Sequence, residues 1–254
     1  MTLFTRTATA AATAIALLGA PAQAFDINAM SEAEREAFGK EVRSYILANP
    51  ELILEAVDLL EQRQQQAEAV RDDALVADNL EELVNDGYSW VGGNPEGDIT
   101  LVEFMDYRCG YCRRAAPEVA KLLESDGNIR LVIKEFPILG DASVLSARFA
   151  VATKQVAGGD AYKNVHDALI EFGGEPNEVA LRRLAEGLSL DAEAIFAKMD
   201  SEEVTAELRQ TRALAQKMAI SGTPTFVLGT ELLRGYLPAD QMELMVAEIR
   251  EQQS

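Results

Sequence analysis

Cys109 and Cys112 are the only cysteines in a chain of 254 residues, and Gly110 and Tyr111 alone stand between them. A bond between partners so close closes a ring too small to staple a fold of this length. It is suited instead to opening and closing: a thiolate attacks a disulfide sulfur, a mixed disulfide forms, and the neighbouring thiol resolves it. Zinc sites use the same spacing, but a tetrahedral site needs two more ligands, and the chain offers one histidine, His166, and no third cysteine. His166 reads as a residue satisfied within a helix, and neither metal nor cofactor is called for. A copper carrier with Cys109 and Cys112 as soft ligands is the competing binding function, and the same shortage of ligands weighs against it.

Certain elements must position such a pair. The run Ile99-Thr100-Leu101-Val102-Glu103-Phe104-Met105 is β-branched and apolar, as a buried central strand would be, and the cysteines follow at once. Residues 115–123 continue at helical spacing. Cys109 is therefore expected at a helix N-terminus, where unpaired N–H groups and the helix dipole favour a thiolate, with Cys112 one turn inside and shielded. Cys109 then exchanges with the substrate and Cys112 resolves. The dipole supplies only about 0.3–2 kcal/mol, so cations or further donors must assist; Arg108, Arg113 and Arg114 are candidates, with plain surface charge as the alternative for each. Residues 129–134 read as the next strand, and the β-helix-β order implies a mainly parallel sheet.

Residues 141–219 are helix-rich, with breaks at Gly158-Gly159 and Gly173-Gly174, and form a helical insert. Two short strands, 225–228 and 231–234, follow as a hairpin around Gly229-Thr230, and 238–251 is a last helix.

Upstream, Ser31 and Glu34 have capping-box spacing and open a helix to about Ala48; Asn49-Pro50 opens a second. Ile53, Val57 and Leu60 make one stripe, residues 61–73 are mostly polar, and Leu75, Val76, Leu80, Leu83 and Val84 restore an apolar face before Asn85-Asp86-Gly87. Residues 25–86 are thus an N-terminal helical arm, and 87–254 the main domain. Amphipathic helices are marginal alone, so the arm either lies on its own domain or joins copies into a homo-oligomer. Residues 1–24 carry Arg6, an alanine-rich apolar stretch and Pro21-Ala22-Gln23-Ala24, which together read as a signal peptide cleaved after Ala24. The formal charge of -19 disfavours nucleic acid and anionic lipid as partners.

Three motifs in order, Phe104-Met105-Asp106-Tyr107-Arg108-Cys109-Gly110-Tyr111-Cys112, Lys134-Glu135-Phe136-Pro137-Ile138-Leu139-Gly140 and Ser221-Gly222-Thr223-Pro224-Thr225-Phe226, resemble the DsbA family of periplasmic oxidoreductases. The likeness covers residues 88–251. It implies an α/β, thioredoxin-like fold with a helical insert, a periplasmic location, and protein substrates with thiols or disulfides, served by a membrane redox partner. It also implies a cis-proline loop, Thr223-Pro224, facing the sulfurs and pairing with extended substrate beside Gly110 and Tyr111. Glu103, six residues before Cys109, matches the family's buried acid that exchanges protons with the resolving thiol, and Lys134 is placed to offset it. Gly110-Tyr111 replaces the Pro-His of the strongly oxidising members, and threonine rather than valine precedes Pro224. Both features resemble the disulfide isomerase DsbC, while the arm is similar to the extension of ScsC proteins. The resulting reading is a disulfide isomerase or reductase, with a dithiol oxidase as the alternative.

Overall fold

The computed structural model describes residues 29–253, so the leader expected over 1–24 lies outside the described residues. Two compact units divide the chain, Met1–Gln62 and Arg63–Ser254. In the first, α1 (Glu32–Ala48) opens with the expected capping box: Ser31 Oγ accepts from the Glu34 N–H, and Glu34 Oε2 accepts from the Ser31 N–H at 2.8 Å. No residue of α1 is buried. Helix α2 (Glu51–Asp78) begins just after Pro50, and Ile53, Leu54, Val57, Leu59 and Leu60 on its first half are exposed.

The last turns of α2 belong to the second unit. Asp72 is buried and takes two hydrogen bonds from the Arg234 guanidinium, which hold its carboxyl below the usual carboxylate range. Val76 and, on α3 (Leu80–Val84), Leu83 are fully buried, each contributing about 1.5–3 kcal/mol. Residues 63–86, counted with the arm on sequence, thus help to close a core, because their few apolar side chains meet one face of the sheet.

That sheet has five strands in the order β1-β3-β2-β4-β5, from β1 (Trp90–Gly93), β2 (Ile99–Met105), β3 (Ile129–Glu135), β4 (Thr225–Leu228) and β5 (Glu231–Arg234). Only β2 and β3 run parallel; the other three pairings are antiparallel, so the expected mainly parallel sheet is corrected to a mixed one. The hairpin β4-β5 was legible, but β1 was hidden behind Gly92-Gly93, which resemble a turn. Both glycines have a steric reason. The Trp90 ring lies where a Gly92 Cβ would stand, and a Cβ on Gly93, at φ 64°, would come 2.4 Å from the Ile129 carbonyl.

Side chains alternate across the central strands. Leu101, Glu103 and Met105 share one face with Leu131, Ile133 and Glu135, covered by α4 (Gly110–Asp126), α5 (Asp141–Glu171) and α9 (Ala239–Gln253). Val102, Phe104 and Val132 look the other way, toward Val76, Leu83 and α8 (Glu202–Lys217). The insert adds α6 (Glu178–Gly187) and α7 (Ala192–Met199), and α5 bends at Gly158, φ 88°, where a break was expected.

Between β2 and α4 the chain turns on Asp106, a residue that sequence reasoning passed over. Its buried carboxylate accepts from the Arg108 N–H at 2.7 Å and from the Ile138 and Leu139 N–H groups at 2.8 and 3.1 Å, while its carbonyl accepts from the Cys109 N–H at 3.0 Å. One side chain thereby ties the cysteine turn to the segment after β3. Asp106→Ala strands three backbone donors, at about 1–3 kcal/mol for each left buried without a partner. Urea denaturation should show a loss of at least about 2 kcal/mol; a change within about 0.5 kcal/mol, as at an ordinary surface position, would show the clamp to be dispensable.

Candidate active site

Cys109 is the N-cap residue of α4, and Cys112 lies in the first turn. Both are free thiols; Cys109 keeps 7% of its surface exposed and Cys112 none. The order of accessibility matches the expected division of labour, although Cys109 shows only an edge to solvent. Opposite them, the Thr223-Pro224 peptide is cis, as the resemblance implied. The Cys109 thiol donates to the Thr223 carbonyl at 3.1 Å, and the Thr223 side chain favours the thiolate form of Cys112. The loop is fixed from behind, since the Pro224 carbonyl accepts from the Gly235 N–H at 2.9 Å and the Thr225 hydroxyl donates to the Gly222 carbonyl at 2.9 Å.

Gly110 and Tyr111 lie exposed beside the pair. The three arginines proposed as sulfur partners are occupied elsewhere. Arg108 donates to the Gly174 carbonyl at 2.8 Å and pairs with Glu175; Arg113 donates to the Tyr107 carbonyl at 3.1 Å; Arg114 stacks on the Tyr111 ring at 4.9 Å. The surface reading is the better one for Arg114, while Arg108 and Arg113 brace the turn.

Burial drives the Cys112 thiol well above the ordinary cysteine range, and the charge of Glu103 adds to the effect, against a backbone hydrogen bond at Asp106 and the Thr223 hydroxyl. Glu103 is itself buried and is pushed up to about 8, first by burial and then by Glu135. The partner expected for it was Lys134, and here register decides. Lys134 pairs across the strands with Phe104, hence on the opposite face, where its ammonium is bound by Asp86 and the Glu82 carbonyl. The charged neighbour of Glu103 is therefore an acid. Glu135 is raised to about 7 by burial, against hydrogen bonds to Oε1 from the Tyr107 and Tyr162 hydroxyls, each 2.6 Å long.

His166 sits in a helix, as read, and burial lowers it to about 4. Its Nδ1 is 3.1 Å from the Tyr107 oxygen, whose one proton goes to the shorter bond with Glu135, so Nδ1 carries the proton in a neutral ring. Tyr107, Glu135 and Tyr162 were not singled out on sequence. The available signal was parity: Glu135 continues the core-facing series Ile129, Leu131, Ile133.

With this geometry in view, relatives are informative. A family model described as a DSBA-like thioredoxin domain matches residues 100–250, and one described as the copper resistance protein ScsC N-terminal domain matches residues 34–67. The crystal structure of a thioredoxin-like oxidoreductase from Silicibacter pomeroyi is similar at 43% identity and a TM-score of 0.64, covering 67% of this chain and 97% of that one. BcfH from Salmonella enterica Typhimurium is similar at 28% identity and a TM-score of 0.70, covering 85% and 95%. A curated relative, the Na(+)/H(+) antiporter NhaA 3 of Salinispora tropica, is 32% identical over 136 residues, 54% of this chain. The chain spans about a fifth, 21%, of the length of that antiporter. Since the first match runs through the strand, the cysteine pair and the cis-proline hairpin, the chain belongs to the DSBA-like thioredoxin domain family.

Proposed function

We propose that this protein is exported to the periplasm, as its leader reads, and there isomerises or reduces disulfides of other proteins. Cys109 attacks a substrate disulfide: the Cys109-substrate bond forms, the substrate bond breaks, and the departing sulfur takes a proton. As an isomerase, another substrate thiolate then attacks the mixed disulfide and Cys109 leaves, with no net change in electrons. As a reductase, Cys112 attacks Cys109, the substrate sulfur leaves as a thiol, Glu103 accepts the Cys112 proton, and a membrane partner later reduces the internal bond. Gly110 and Tyr111 border the substrate, and Thr223-Pro224 lies along its extended backbone.

The observation that carries the isomerase reading is the arm. Phe38, Tyr45, Leu47, Leu54 and Leu60 are exposed on helices with almost no core of their own. Copies joined through these residues bring several cysteine pairs to one scrambled substrate, and the match to the ScsC N-terminal domain covers this same stretch, residues 34–67. A second reading, dithiol oxidase, has its own support: Glu103, pushed up to about 8, is mainly in its acid form at neutral pH and has a proton ready for Cys112 as a leaving group.

Refolding assays separate the two. Scrambled ribonuclease should regain activity with the reduced protein and not with Cys109→Ser; recovery from reduced ribonuclease only would establish the oxidase. Deleting residues 25–62, which spares Val76 and Leu83, should reduce the mass by light scattering to that of a monomer, and an unchanged subunit number would remove the arm from assembly. Thr223→Val deprives the departing Cys112 thiolate of a donor worth about 1.5 kcal/mol. Reduction of the internal disulfide by dithiothreitol should slow about tenfold, and an unaltered rate would deny the hydroxyl any part in the step.

A further inference from the structure

Under the redox pair, two carboxyls share one buried face of the sheet. Glu103 on β2 and Glu135 on β3 point to the same side, two positions apart in register, and both are buried. Glu135 Oε1 is saturated by two phenols, whereas Oε2 has no hydrogen-bond partner. The groups facing them come from each neighbouring element. Around Glu103 stand Cys112 of α4, Glu135, and His166, Lys163 and Asp167 of α5, the last three lining with Glu103 a cavity of about 80 Å³. Around Glu135 stand Tyr107, Tyr162, His166 and the more distant Lys154, whose ammonium is bound by Glu207 of α8 and by the Tyr88 carbonyl. Lys163 is likewise bound by Asp167.

Two acids in one low-dielectric space do not both ionise readily, and the one with better donors ionises first. The donors belong to Glu135. We infer that Glu135, held by Tyr107 and Tyr162, is a positioning residue that carries the negative charge of this acid pair and so keeps Glu103 in its acid form for proton transfer with Cys112. The inference rests on the role given to Glu103 above. When an incoming thiolate opens the internal disulfide, the new bond forms at Cys109, Cys112 leaves with the electron pair, and Glu103 supplies its proton. In ring closure the proton returns, which requires the carboxylate form of Glu103. A charged Glu135 therefore favours opening and delays closure.

The closing step is separable by mixing reduced protein with excess 5,5′-dithiobis(2-nitrobenzoic acid): the first coloured thiolate is released by Cys109, the second when Cys112 closes the ring. Its rate should rise with pH along a limb near pH 8, the value set for Glu103. Glu135→Gln keeps an oxygen for both phenols and removes the charge, so the Glu103 limb should move to lower pH by about one unit, and closure at pH 6 should quicken by up to about tenfold. Glu103→Gln should abolish the limb, leaving only the rise that belongs to the thiol at higher pH, and the double variant should behave like Glu103→Gln alone. If Glu103→Gln retains the limb, the role of Glu103 itself fails. If Glu103→Gln abolishes it but Glu135→Gln leaves it in place, or acts equally in the Glu103→Gln background, the inference about Glu135 is overturned while Glu103 stands. Tyr162→Phe, which withdraws one donor from Glu135, serves if Glu135→Gln does not fold, and should shift the limb the same way by less; no shift would again refute the inference.

Discussion

A negative charge on Cys112 would have to form where water cannot reach it, and the groups around the sulfur bear on that cost. Burial opposes the thiolate, against the backbone at Asp106 and the Thr223 side chain, which favour it. In the proposed function a sulfur so placed exchanges a proton each time its bond opens or closes, and Glu103, on the strand beneath it, is the acid proposed for that exchange. The position of that acid follows from β2 leading directly into α4: the strand that delivers the cysteines also carries Glu103 to the covered face. The groups that hydrogen-bond Glu135 are phenols, and the nearby ammoniums of Lys154 and Lys163 are bound by Glu207 and Asp167. A cation paired directly with Glu103 would favour its charged form and oppose proton donation to Cys112.

Much of this organisation was legible in the residues. The β-branched run 99–105, the hairpin 225–234 and the capping box at Ser31 are local signals, and each corresponds to an element in the structure. Cys109 at a helix start follows from the strand ending four residues earlier. What escaped depends on pairing. Glu103 and Lys134 look like complementary charges until the register sets them on opposite faces, and Glu135, one residue further on, takes the place assumed for Lys134. Asp106 carries no local signature, because the Ile138 and Leu139 donors it gathers lie some thirty residues away in sequence. Strand β1 was concealed because its glycines answer to the Trp90 ring and the Ile129 carbonyl, not to a turn.

Helix α2 shows how a boundary can be misplaced for a sound reason. Its middle is polar, and the stop signal Asn85-Asp86-Gly87 reads as the end of a single arm. Asp72 instead meets Arg234 on β5, and Val76 is sealed into the core, so the polar stretch serves the catalytic unit with an ion pair at its edge.

The chain's single tryptophan is Trp90. It donates its indole N–H to the Gly159 carbonyl at 3.0 Å, stacks on Tyr162 with ring centroids 5.5 Å apart, and borders the cavity below Glu103. Ultraviolet emission from the native protein therefore originates beside the acid pair, within reach of its electric field. Proton occupancy of the acid pair thus has an optical gauge, with no label to attach and no second indole to subtract.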